Sequence, residues 1–513
     1  MQERRFFWLL IFSIILVSVL TSVPYYLALI GGGEEHVFAG FLLNPQDGNT
    51  YLAKMYQGYQ GSWKYTLPYT APQGNGAYLF AFYLFLGHVA RWLGLPLLMT
   101  FHAARLISAT CMLIALYRFI KICVPEESAQ SPAFIIAAFG SGLGWVALIA
   151  GQVTSDFWVA EAYHFLSAYA NPHFPLGICL TILLITPIVH WRKNLLQREW
   201  ATPFLALALA IVYPFGIVLV LLLLGIMAFW EQYLSPERML PRLYNWRLFF
   251  SGLFGLPLLV YYLWIVYSDP IFSAWNAQNL TPSPGVIDFI VSFSPLLVFL
   301  IPTMVKLIKQ KLGNNRIIVI WAVVGIALLW IPWSLQRRFI YGLYIPIAVV
   351  CVTGIYRLIA NPGSLRWVGT ALIVLSLPTN IIILLSAGQG ISSQNAMIYI
   401  HRDEEQAFHW LSKNTPVDAV IIAAPETGLF IPAQAGRRVI YGHPFETVSA
   451  DAQKERLISF FEGKRSTGEL NPLLQGDYVF YGPREAALGK GFLPAGLKLV
   501  YESGSTQIYQ VIH

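Results

Sequence analysis

Charge is what this chain has least of. Of its 513 residues only 12% are Asp, Glu, Lys or Arg, while 56% are hydrophobic; soluble domains carry about 25% charged residues. With a mean hydropathy of +0.58, the composition excludes a soluble globule and implies a polytopic membrane protein. Cysteine is equally scarce. Cys111, Cys123, Cys179 and Cys351 lie far apart, each within or beside an apolar run. No CxxC metal or redox pattern is formed, and the four read as small core residues. No repeat of about 20–50 residues recurs, and carboxylates deep inside the apolar runs are missing. The formal charge of +7 would suggest an anionic partner in a soluble protein; here it implies basic loops on the cytoplasmic side. Nothing resembles a nucleic-acid-binding module.

Long apolar runs are abundant. The first, Phe6 to Ile30, follows Arg4 and Arg5; it is too long for the core of a secretory signal and has no A-x-A-like cleavage site. It is expected to be an uncleaved helix with a cytoplasmic N-terminus. Span length and the positive-inside rule predict about 11 transmembrane helices, near 6–30, 98–122, 131–151, 174–191, 200–212, 215–230, 247–267, 289–309, 316–334, 341–360 and 367–388. Basic residues then fall on the side of Arg4 and Arg5. They are Arg118 and Lys121; Arg192, Lys193 and Arg198; Arg238, Arg242 and Arg247; Lys306, Lys309, Lys311 and Arg316; and Arg357 and Arg366. This parity requires the run 77–93 to lie on the membrane surface as a half-buried helix. The pair 200–212 and 215–230, hinged at "YPFG", is short for full spans.

Three outer loops follow, 31–97, 152–173 and 268–288, within a membrane part of residues 1–389. From residue 390 to 513 charge returns, and an extracytoplasmic α/β domain is expected. Arg402–Asn414 reads as a helix; 418–424, 438–441, 477–481, 497–501 and 506–511 read as strands. This domain has no GxGxxG or GxxxxGK[ST] sequence and hence no recognisable nucleotide site.

The outer loops hold the candidate functional residues. In "NPQDGNTYLAKMYQGYQGSW" (44–63), Tyr51, Leu52, Met55, Tyr56, Tyr59 and Trp63 recur at helical spacing, as in a helix lying at a membrane interface. Asp47 precedes them, where a carboxylate either caps the helix or faces a substrate. The second outer loop, "TSDFWVAEAYHFLSAYANPHFPLG", brings Asp156, Glu161, His164 and His173. Asp156 is placed to cap a helix "FWVAEAYHFL", on which Glu161 and His164 are spaced to pair. "PWSLQRRFIYG" puts Arg337 and Arg338 at the outer end of a helix. That pair runs against the positive-inside trend and suits a phosphate-headed lipid, unless the two simply snorkel to headgroups. His102 and Arg105 share one face of the second helix.

This order of features resembles the GT-C class of polyprenyl-phosphate-dependent glycosyltransferases, which includes protein O-mannosyltransferases, lipid A aminoarabinose transferases and oligosaccharyltransferases. The resemblance rests on a first helix followed by a long outer loop with an early "DGNTYLAKM", Tyr/Trp-rich surface helices, an acidic second outer loop, "QRRF" near a late helix start and an outer C-terminal domain. "DPIFSAWNAQNLTPSP" (269–284) and "YGHPFETVSA" (441–450) also resemble bacterial members of uncertain substrate. The oligosaccharyltransferase signature WWDYG is absent, which argues against asparagine glycosylation.

The resemblance implies a GT-C fold and transfer of a sugar, with inversion, from a polyprenyl-phosphate donor to a lipid, glycan or protein acceptor on the outer face. Asp47 would be the base or a metal-polarising carboxylate, and Asp156 or Glu161 the second carboxylate. Arg337 and Arg338 would hold the donor phosphate, with His173 assisting and Arg105 lining the same pocket. A divalent cation such as Mg2+ or Mn2+ is compatible with these roles but not specified by them. The alternative is a transporter or lipid flippase, for which the "YPFG" break and "FGSGLGW" (139–145) would serve as mid-membrane helix breaks.

Overall fold

The computed structural model describes residues 2–186, 199–234, 241–310, 315–463, 476–489 and 496–512. Of the expected basic loop residues, Arg192, Lys193, Arg198, Arg238 and Lys311, with the side chain of Arg242, lie outside this set. The chain forms two compact units. One comprises residues 1–22, 102–261 and 281–386; the other comprises residues 23–101, 262–280 and 387–513.

The protein is a mostly helical, multi-pass membrane protein. Among the described residues six helices are long and apolar enough to cross a bilayer: Gln2–Gly31, Leu97–Cys123, Pro214–Leu234, Leu243–Ser268, Gln336–Leu358 and Pro362–Ser392. Val286–Phe293 and Leu296–Lys309, bent by 81°, would make a seventh, and His173–Ile185, Ala201–Val212 and Arg316–Leu328 are shorter apolar helices. The remaining expected spans are thus represented by bent or short elements. One expectation fails outright. The run 131–151 is not a single helix: Glu127–Phe139 ends at Gly140, and a new helix, Gly144–Ile149, starts only after the glycine-rich turn. Ala81–Leu93 has 13 residues, about 20 Å at 1.5 Å per residue, too short to span. It leaves Phe85, Trp92 and Leu93 exposed.

In the first unit, ion pairs join helix ends. Lys121 pairs with Glu3, Arg316 with Glu231, and Arg357 Nε with Glu126 Oε1 at 2.6 Å. These are ends that the charge pattern puts on one side of the membrane, and the pairs hold them together. Arg247 corrects another expectation. It is not a loop cation but is 5% exposed. Its guanidinium grips Glu199 at 3.1 and 3.2 Å and donates to the carbonyls of Leu184 and Thr186.

The second unit contains the strands. β1 (His36–Phe38) pairs antiparallel with β2 (Tyr399–His401). A five-stranded sheet is ordered β4 (Arg438–Val439), β3 (Val420–Ile422), β5 (Tyr478–Tyr481), β7 (Thr506–Val511), β6 (Leu497–Ser503). The β4–β3–β5 half is parallel and the rest antiparallel. The alternation of strand side chains feeds two cores. Ile421 and Phe480 join Phe408, Leu411 and Phe430 on one face, while Val420, Ile422 and Val479 join Leu457, Phe460 and Phe461 on the other. All five expected strands and the helix Arg402–Asn414 are present. Helix Pro45–Tyr59 packs on helix Ala81–Leu93 through two glycines. A Cβ at Gly58 would stand 2.0 Å from Leu84 O, and one at Gly87 would stand 1.9 Å from Met55 O. Only glycine permits this backbone approach.

Candidate active site

Asp47 is not the cap of its helix. The helix begins at Pro45, so Asp47 stands in its first turn, and the N-cap is Asn44 in the left-handed region at φ 45°. Pro45 fits because the first helical position needs no N–H, and Asn tolerates positive φ better than other non-glycine residues. Asn44 serves Asp47 twice. Its Nδ2 donates to Asp47 Oδ2 at 2.5 Å, and its Oδ1 accepts from Asp47 N at 3.5 Å. The carboxylate faces the positive end of the helix dipole, and its side chain remains 47% exposed.

Around it the unit is closed. His443, 3% exposed in its side chain, places Nε2 3.6 Å from Asp47 Oδ1. Tyr83 is buried within electrostatic reach of Asp47 and stacks on Tyr51 at 4.5 Å. Desolvation holds the Tyr83 phenol well above its ordinary value, the neighbouring Tyr51 and Asp47 adding to the effect. One turn further on, Lys54 is 1% exposed. Its Nζ donates to Glu446 Oε1 at 2.8 Å and lies 4.4 Å from the centroid of the Phe80 ring. Tyr65 OH donates to Glu446 Oε2 at 3.2 Å. A cation buried in this way needs its partner.

In the first unit the predicted residues separate into three places. Asp156 is a buried anchor. The expected helix 157–166 is absent; a 3-10 turn at Ser155–Phe157 and a later helix, His164–Ala170, take its place. The Asp156 carboxylate instead accepts from the backbone N–H groups of Gly142 and Gly144 at 3.2 and 3.1 Å, and from the hydroxyls of Thr154 and Thr379 at 2.6 and 2.9 Å. Desolvation raises its pKa, opposed by these hydrogen bonds. A Cβ at Gly144 would come within 2.1 Å of Asp156 Oδ1, so the turn of "FGSGLGW" is a carboxylate cradle. Asp288, not anticipated from the sequence, accepts from Ser155 N and Oγ at 2.8 and 2.6 Å, and Ser292 Oγ links both acids. The Asp156 carboxylate is thus engaged with donors from three segments, an arrangement that suits an anchor.

Glu161 lies elsewhere and does not pair with His164, whose Nδ1 stands 2.7 Å from Ala137 O. Glu161 Oε1 is 3.6 Å from Arg337 Nε and 4.0 Å from Arg338 Nη1. The Arg337 guanidinium also lies 4.9 Å from the Trp158 ring centroid. Tyr213 OH donates to Arg338 O at 2.8 Å, and the Tyr213 ring neighbours His173 with centroids 6.4 Å apart. The structure therefore brings Glu161, Arg337, Arg338 and His173 into one neighbourhood. Arg105 is held chiefly by backbone. The residue is 1% exposed, donates to the carbonyls of Ala168 and Thr21 at 2.8 and 3.0 Å, and meets His102 Nδ1 at 3.3 Å. These bonds tie its helix to the carbonyls of two other segments.

Sequence reasoning quoted "YGHPFETVSA" but gave His443 and Glu446 no role. The available signal was Lys54, a lone cation on the apolar face of its helix, which demands an acidic partner. Among the described residues no three His, Cys, Asp or Glu side chains converge to hold a metal ion.

No protein-family model matches the chain, and no curated protein matches it. Among solved structures it is similar to ArnT from Cupriavidus metallidurans in the apo state, at 10% identity and TM-score 0.48 over 96% of this chain and 97% of that one. The same protein bound to undecaprenyl phosphate matches at 10% identity and TM-score 0.49 over the same shares. The arabinofuranosyltransferase AftD from Mycobacteria matches at 16% identity and TM-score 0.47, over 97% of this chain but 41% of that longer one.

Proposed function

We propose that this protein is a GT-C-type glycosyltransferase that moves a sugar from a polyprenyl-phosphate donor to an acceptor on the outer face of the membrane, with inversion. One observation carries the reading. Asp47 is a half-exposed carboxylate steadied by Asn44 and facing a buried histidine, in the loop where the sequence resemblance places the base. In the proposed step the acceptor hydroxyl oxygen attacks the anomeric carbon and its proton passes to Asp47. The bond from that carbon to the phosphate oxygen breaks, and the phosphate leaves with the electron pair. Phosphate is already a good leaving group, so the donor side needs cations rather than a strong acid. The sequence resemblance gives that part to Arg337 and Arg338, whose guanidinium groups lie beside Glu161 within the first unit. The reading puts the N-terminus in the cytoplasm and residues 390–513 outside as a domain on the acceptor side.

The test is transfer of a labelled sugar from a polyprenyl-phosphate donor by purified protein. A new glycosidic bond on the acceptor is the expected outcome. Vesicles that instead move a labelled lipid or solute with every bond intact would replace this reading with a transporter.

A further inference from the structure

We infer that His443 is a positioning residue for Asp47: the loop Tyr441–Thr447 aims the His443 Nε2–H at Asp47 Oδ1, and Glu446 anchors that loop on the helix that carries Asp47. This rests on the proposed role of Asp47 as the base and gives the C-terminal segment a part in the reaction.

The ring's orientation is decided by backbone. His443 Nδ1 accepts from the N–H groups of Phe445 and Glu446 at 3.1 and 3.3 Å, so the hydrogen of the neutral ring sits on Nε2. That atom points at Asp47 Oδ1, 3.6 Å away. The distance exceeds a hydrogen bond. A small rotation of the half-exposed Asp47 side chain closes it, and catalytic hydrogen bonds commonly tighten only when substrate binds. The loop itself is rigidly held. Thr447 Oγ1 accepts from the N–H groups of Gly442 and His443, and Thr447 N donates to His443 O at 3.0 Å. Gly442 lies so close to helix Pro425–Gln434 that a Cβ would stand 2.3 Å from Gly428 O. Glu446 then joins the loop to Lys54 and Tyr65. With that contact closed, Asp47 meets Asn44 on Oδ2 and His443 on Oδ1, which fixes the plane of its carboxylate. Of the other titratable groups, Tyr83 on the neighbouring helix lies within electrostatic reach of Asp47 and stacks on Tyr51, Tyr69 lies against the His443 ring, and Glu446 in the loop is paired with Lys54.

Two variants separate aiming from folding. In His443→Asn the side-chain oxygen occupies the place of Nδ1 and keeps the loop's acceptor, but the donor to Asp47 is gone. In His443→Gln the amide nitrogen replaces Nε2 as donor, and the acceptor is gone. Each is measured for kcat and KM with the donor of the transfer assay. Each is also measured for Tm and for the pH midpoint of water-soluble carbodiimide labelling of Asp47, read by mass spectrometry. For His443→Asn we expect kcat to fall about tenfold, as for loss of one hydrogen bond to a charged group, with KM and Tm near wild type. The labelling midpoint should rise by about one pH unit, because the lost donor favoured the ionised form. His443→Gln should lose Tm but keep the midpoint. An unchanged midpoint in His443→Asn overturns the inference. So does a kcat loss that tracks Tm across both variants. If His443→Asn folds poorly, a shifted midpoint in His443→Gln overturns it. Wild-type protein that transfers no sugar, yet shows the midpoint shift in His443→Asn, would end the glycosyltransferase reading and leave the His443–Asp47 coupling standing.

Discussion

Asp47 and Asp156 both lie in segments expected from the sequence to be outer loops, and their surroundings differ. Asp156 is buried under six donors and ties the glycine turn 140–144 to the 3-10 turn 155–157. Asp47 keeps nearly half its side chain in solvent. Since Asn44 is the cap, Asp47→Asn costs a favourable dipole contact, worth about 0.3–1 kcal/mol, and weakens the contact with His443, while the new amide can still accept from Asn44. We therefore expect Tm to stay within a few degrees of wild type while kcat falls about 10²–10⁴-fold, the usual contribution of a positioned base. Measuring kcat, Tm and donor affinity on one preparation checks this. Near-normal turnover would leave Asp47 a helix-end charge, and lost donor binding at normal turnover per bound donor would make it a substrate clamp.

At the scale of elements, the short helix Pro483–Leu488 carries a testable group. Its Glu485 is fully buried, with its oxygens accepting from Ala424 N and Gly482 N at 2.7 and 2.9 Å. Burial pushes its pKa up to about 7 from an ordinary 4.5, the hydrogen bonds working against that rise. The folded state therefore binds this proton more tightly than the unfolded chain. The contribution to stability is complete below about pH 4.5, falls as pH rises towards 7, and is lost above it, a swing on the order of 3 kcal/mol. Glu485→Gln cannot titrate, and its amide leaves one of the two N–H groups unpaired. We expect it to be less stable in acid than wild type but to lack this slope. Thermal melts from pH 4.5 to 8 that gave the two proteins parallel curves would contradict the assignment.

For the whole molecule, the pairs Lys121–Glu3, Arg316–Glu231 and Arg357–Glu126 gather helix ends that charge counting puts on one side. The proposal that this side is cytoplasmic predicts that cysteines placed at the exposed Lys309 and Lys413, in a chain with its own four replaced, react from opposite faces of the membrane. Labelling of both by one impermeant reagent in sealed cells would sink the topology.

Much of the architecture is legible in the residues alone. Hydrophobic runs and basic clusters report spans because lipid tolerates neither charge nor unpaired backbone. The strands near 418–424, 438–441, 477–481, 497–501 and 506–511 report themselves through β-branched and aromatic residues between polar turns. Asp47 could be singled out because it stands in a long polar segment between apolar runs. Its partners could not. Lys54 and Glu446 are separated by 392 positions, and His443 meets Asp47 across a similar stretch, so no periodic pattern records them. Asp156 looked like a helix cap because local sequence shows a carboxylate before apolar residues and nothing of the glycine turn that surrounds it. Composition and periodicity act through neighbours along the chain and determined the membrane class and most elements. Which carboxylate is saturated and which is left open depends on donors from distant segments, and only tertiary packing decides that.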